Sequence, residues 1–185
     1  MPVIVSMLRA VNLGNYNKIS MEALRGLYAT LKFEKPQTYL QSGNVIFKTS
    51  ERNLDLVGKR IQAAVETKFG CRTEIILRTT AELRAVMANN PFAKRTGIEP
   101  GKLLVTFLLA DPGKTARANL RKQQFAPEEL HVADRELYIY FPDGVGKSKL
   151  PSARIHKILN TPGTARNWNS VTKMLQIAEQ LESSS

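Results

Sequence analysis

Residues 38–47 read TYLQSGNVIF, two β-rich runs on either side of a tight Ser42-Gly43-Asn44 turn. That pattern specifies a β-hairpin, and its surroundings decide which fold the hairpin belongs to. Upstream, Ser20 stands as an N-cap before Met21, Leu24, Leu27, Tyr28 and Leu31, apolar at helical spacing, and Pro36 ends the connection. Downstream, a helix is expected from about Asn53 to Phe69, with Leu54, Val57, Ile61, Ala64 and Val65 on one face and Gly70 closing it. Farther out lie two apolar strands, residues 3–8 (VIVSML) and 73–78 (TEIILR). Thr79 with Glu82 forms a capping-box pattern for a short helix ending near Asn89-Asn90-Pro91. The order is β-α-β-β-α-β, then one more helix.

The second half repeats it. Residues 103–109 (LLVTFLL) form a strand, and Asp111-Pro112-Gly113 turns into a short helix through about Lys122. Residues 129–132 and 136–141 make a second hairpin around Ala133–Arg135. A helix is expected from Lys147 to Leu159, a short strand near Thr164–Arg166, and a last helix from Asn167 to Leu181. The reading is therefore α+β: two tandem ferredoxin-like units, each a split βαβ followed by an extra helix. They span residues 1–95 and 96–185, with the boundary near Lys94–Lys102, where Pro, Gly and charges cluster. Both first strands are apolar at nearly every position, as in strands covered on both faces. Packing of the halves, or of the extra helices, over the open faces is the simplest way to cover them.

Five phrases carry a resemblance: MLRAVNLGNYNKISM (7–21), TYLQSGNVIF (38–47), NNPF (89–92), DGVGKSKL (143–150) and TARNWNSVTKML (164–175). In that order they resemble a bacterial family of unknown function, domain-of-unknown-function family 1697. The resemblance implies tandem α-β plaits and no particular activity. Ala10 and Asn15 depart from it, standing where glycines are common in the family.

The chain carries 27 Lys+Arg against 16 Asp+Glu, a net charge of +11. Residues 1–95 hold 15 and 7 of these, so most of the excess falls in the first half. A surface this basic attracts polyanions, and the candidate partners are a nucleic acid or a phosphorylated small molecule. The longest apolar stretch, Leu103–Leu109, is far short of the roughly 20 residues needed to span a bilayer. The N-terminus lacks the marks of a signal peptide, and one cysteine, Cys71, offers no internal disulfide. The expectation is a cytoplasmic protein with no membrane partner, no metal and no cofactor.

Candidate ligand-binding residues are the polar members of the five phrases, which core packing does not explain. Arg9, Asn12 and Lys18 flank the end of the first strand, and Gln41, Ser42 and Asn44 form the first hairpin turn. Lys147, Ser148 and Lys149 open one predicted helix, and Arg166 and Asn167 open the last. Helix N-termini with added cations suit phosphate or carboxylate, although Ser148 and Asn167 also serve as plain caps and Ser42-Gly43-Asn44 as plain turn geometry. Gly146-Lys147-Ser148 mimics the end of a P-loop, but Phe141 stands where that motif needs a glycine. His131 and His156 have no Cys or carboxylate at ligand spacing. Tyr138, Tyr140 and Phe107 sit where RNA-recognition sheets stack bases, although core packing explains such aromatics equally. Three functions follow: binding of an anionic ligand, an enzyme acting on a phosphorylated small molecule, or a structural or regulatory module.

Overall fold

The computed structural model describes residues 1–14 and 16–184, so Asn15 lies outside the described residues. In chain order its elements are β1 (Val3–Leu8), α1 (Met21–Thr30), β2 (Glu34–Tyr39), β3 (Asn44–Lys48), α2 (Leu54–Phe69), β4 (Ile75–Thr79) and α3 (Thr80–Ala88). The repeat follows as β5 (Leu103–Leu108), α4 (Gly113–Arg121), β6 (Glu129–Ala133), β7 (Glu136–Tyr140), α5 (Ser152–Leu159), β8 (Gly163–Asn167) and α6 (Trp168–Ser183). The strands form two antiparallel sheets, ordered β2-β3-β1-β4 and β6-β7-β5-β8. Both are the split-βαβ order, so the chain is an α+β protein of two ferredoxin-like units.

Two compact units emerge from the packing. Unit 1 contains Met1–Arg84 together with the chain from Lys173 onward, and unit 2 contains Ala85–Thr172. The returning C-terminal chain buries Met174, Ala178 and Leu181 and makes polar contacts with the rest of unit 1. The Arg84 guanidinium donates to Glu179 and Glu182, each at 2.8 Å, and Lys35 donates to the Ser184 carbonyl at 2.8 Å. The boundary at Ala85, which places Lys94 and Arg95 in unit 2, also redistributes charge. Unit 1 carries 14 Lys+Arg and 9 Asp+Glu, and unit 2 carries 13 and 7, so the nets are +5 and +6.

Within unit 1, alternation along the strands sorts side chains to two faces. Ile4, Leu8, Val45, Phe47, Ile75 and Leu77 meet Leu24, Leu27 and Tyr28 of α1 and Val57, Ile61 and Val65 of α2. Ser6 falls on the same face, and its hydroxyl pairs with the Tyr28 hydroxyl at 2.7 Å, which satisfies both groups in the core. Val3, Val5, Met7, Ile46 and Ile76 point the other way and are also buried. The expected covering of both faces is therefore met in β1, all six residues of which are buried. In unit 2, Leu108, Leu137 and Ile139 pack with Leu120 of α4 and Ile155 and Leu159 of α5.

Two local readings need correction. Pro36 does not end a loop; it lies inside β2, beside a register shift between Glu34 and Gln37. An edge strand with a bulge tolerates a residue that cannot donate to the ladder. The helix expected from Lys147 begins instead at Ser152. Proline biases the residue before it away from helical backbone, so Leu150 stays outside the helix and packs against the unit 2 core. Val145–Lys147 form a single 3-10 turn.

Candidate functional site

The loop after β1 and the β2–β3 turn meet at one end of the first sheet, and Asn12 joins them. Asn12 adopts φ 54°, a left-handed conformation that Asn tolerates better than most residues. Its amide Nδ2 donates to the carbonyls of Ile19 (3.0 Å) and Gln41 (2.7 Å), while its Oδ1 accepts the Ile19 N–H at 2.8 Å. Asn44 is fully buried, and its Nδ2 donates to the Tyr39 carbonyl and the Ser42 hydroxyl, both at 2.9 Å. The Arg9 guanidinium pairs with Glu74 at 3.1 Å. Lys18 and Gln41 are exposed. Six of the candidate residues thus lie around this end of unit 1, and Asn12, Ser42 and Asn44 hold its backbone together. Replacing Asn12 with alanine should cost about 1–3 kcal/mol through unmet polar groups and speed hydrogen exchange at the Ile19 amide. An unchanged exchange rate would show that the loop does not depend on that side chain.

In unit 2 the candidates divide. Lys147 and Lys149 line a cleft of about 390 Å³ with Arg154, Phe125, Glu128 and Asp143. Ser148 is engaged in structure: its hydroxyl donates to the Glu128 carboxylate and accepts the Leu150 N–H at 3.0 Å. Arg154 was not among the sequence candidates. Only the late start of α5 places it in the first helical turn beside the lysines, and no sequence signal marked that.

Arg166 and Asn167 lie on β8, at the opposite edge of the sheet from Glu128 and β6. Three strand spacings of about 4.8 Å separate those edges, so this pair does not join the cleft. Arg166 does not open a helix. It sits in the ladder opposite Val105, is buried, and donates to the Thr164 hydroxyl at 2.7 Å and the Ala165 carbonyl at 2.9 Å. Burial lowers its pKa to about 10, which still leaves it charged at neutral pH. Asn167 caps α6, its Oδ1 accepting the Asn169 N–H at 3.0 Å, and its Nδ2 donates to the Gly101 carbonyl at 2.9 Å.

The aromatic platform is closed. Tyr138, Tyr140 and Phe107 are all buried. The Tyr138 hydroxyl donates to the Val86 carbonyl at 2.9 Å, and the Tyr140 ring packs on Phe92 with centroids 5.8 Å apart. A base cannot stack on rings already covered by protein, so these residues follow the core reading. His131 and His156 occupy exposed positions on β6 and α5. Among the described residues no group of three or more His, Cys, Asp or Glu is placed to hold a metal ion. Burial raises the pKa of Cys71, which disfavours the thiolate a nucleophile needs. No helix among the described residues is long and apolar enough to cross a membrane.

Comparison with known proteins agrees with this architecture. A conserved bacterial protein from Streptococcus pneumoniae shares the fold with a TM-score of 0.72 and 21% identity, over 97% of this chain and 99% of that one. No curated protein matches the chain. The model of a family described as proteins of unknown function, DUF1697, matches residues 1–138, a span that takes in the first three of the five phrases. The chain therefore belongs to the DUF1697 family.

Proposed function

We propose that the protein binds a small anionic ligand, a phosphorylated metabolite, in the cleft of unit 2. The observation that carries this reading is the convergence of Lys147, Lys149 and Arg154 on one concavity. Its volume of about 390 Å³ lies within the ~300–1,000 Å³ of small-molecule sites. Glu128 and Asp143 on the cleft wall make it selective, since they repel anions that do not present their charge to the basic side. The covered faces of Tyr138, Tyr140 and Phe107 favour a small molecule over a nucleic acid bound by base stacking. A buried free thiol, Cys71, suits a reducing compartment, and the cytoplasm is the proposed location.

Thermal unfolding with a panel of phosphorylated metabolites tests the proposal. A ligand at about 100 times its Kd should add about 2.7 kcal/mol to the stability of the native state. A ligand of this cleft should lose that gain in the Lys147→Ala/Lys149→Ala protein while the unliganded melting temperature stays the same. If no compound of the panel loses its stabilisation on the double substitution, this cleft is removed from consideration. Labelled single-stranded RNA should bind weakly at about 50 mM salt and be lost at about 200 mM, as expected of phosphate contacts alone.

A further inference from the structure

We infer that unit 1 has a phosphate-binding site of its own, in a cavity that none of the five sequence phrases marks. The cavity lies where the end of α1 meets the loop between β3 and α2. Its volume is about 440 Å³, and its walls include Lys32, Arg52 and Arg60, the hydroxyl residues Thr49 and Ser50, and one carboxylate, Glu51. Three cations against one anion leave an excess of two positive charges, which matches a phosphate monoester or pyrophosphate dianion.

The cationic groups are not all loose. Arg60 donates Nη2–H to the Leu31 carbonyl at 3.0 Å, and its guanidinium lies over the Phe33 ring, 5.4 Å from the centroid. A guanidinium carries five N–H donors in a rigid fork, so this one bond and the ring contact orient the group without exhausting it. Such a fork matches two oxygens of a phosphate at once. Phe33 is buried and supplies an apolar floor.

The loop itself is ordered by its own hydrogen bonds. The Thr49 hydroxyl accepts the Glu51 N–H at 3.1 Å, and the Glu51 carboxylate accepts the Asn53 N–H at 2.8 Å. Glu51 is thereby tied to the start of α2, so one of its oxygens is held by backbone. Arg52 and Lys32 are exposed and can close on a ligand from either side. A small phosphorylated compound fits this cavity, and the site does not depend on the cleft of unit 2.

Calorimetric titration of inorganic pyrophosphate into the full chain tests the inference, using the wild type, Lys32→Ala/Arg52→Ala and Lys147→Ala/Lys149→Ala. Saturable binding is expected in the wild type, weakened at least about tenfold in the first variant, since removing a charge-assisted hydrogen bond commonly costs that much. Affinity should change less than about twofold in the second variant, whatever becomes of the other cleft. Lys32 and Arg52 are exposed, so the first variant should keep the wild-type melting temperature; Arg52→Ala alone serves if the double variant does not. Three outcomes would overturn the site: no saturable binding to the wild type, equal affinity in the Lys32/Arg52 variant, or equal losses in both variants, which would mark a general charge effect. Single-stranded RNA that displaces pyrophosphate at lower concentration than pyrophosphate itself would overturn the small-molecule assignment.

Discussion

Truncation of Phe47 to alanine is expected to destabilise unit 1 by about 3–5 kcal/mol. The residue sits on β3 facing α1 and α2 and is fully buried. Its ring meets Phe33 at 4.5 Å between centroids and Tyr28 at 5.2 Å, the latter in an edge-on arrangement. The loss combines removal of a large apolar side chain from its neighbours with a cavity that both helices and the sheet can only partly fill. Against the ~5–15 kcal/mol that holds a typical domain together, this is a large fraction. Urea unfolding followed by circular dichroism should show a clear fall in midpoint, and Phe47→Leu should lose much less. A loss below about 1 kcal/mol for the alanine protein would mean that the three rings do not pack as described.

Gly43→Ala carries the second large effect, for a different reason. Gly43 has φ 76°, in the region where a side chain is strained. A Cβ there would also lie 2.6 Å from Val11 Cγ2 and 3.0 Å from Leu8 Cβ. Backbone strain of about 1–2 kcal/mol and overpacking of about 1–3 kcal/mol sum to roughly 2–5 kcal/mol. Gly14 is the control, since it has φ 57° and nothing within 4 Å of where a Cβ would stand. Gly14→Ala should therefore cost only the strain. Equal losses at the two glycines would show that the close approach of the hairpin turn to Val11 is absent.

Much of the fold was legible because its signals are local. Apolar spacing in residues 21–31 and 53–69 marked α1 and α2, and Asn53 and Gly70 proved to be the two caps of α2, with Asn53 Oδ1 accepting the Leu56 N–H. Both hairpins were read from strand-turn-strand patterns. The candidate site was far less legible. Polar residues in the phrases were assigned to ligand binding because their partners are remote in sequence. Asn12 bonds Gln41, and Ser148 bonds Glu128. A carboxamide that closes a loop and one that awaits a ligand look the same in a linear chain.

By itself, the sequence determined the order of elements, the two hairpins, the apolar character of both faces of β1 and the overall positive charge, because each depends on spacing between neighbours or on composition. Only the tertiary structure decided which polar groups are engaged, which aromatic faces are covered and where the charge resides. Lys94 and Arg95 fall in unit 2, which evens the charge of the two units although the halves of the sequence are unequal. Burial of Tyr138, Tyr140 and Phe107 closes a face that alternation alone left open. The convergence of Lys32, Arg52 and Arg60 on one cavity likewise joins residues from separate elements. Long-range pairing brings together groups far apart in the chain, and local periodicity carries no record of which distant group it will be.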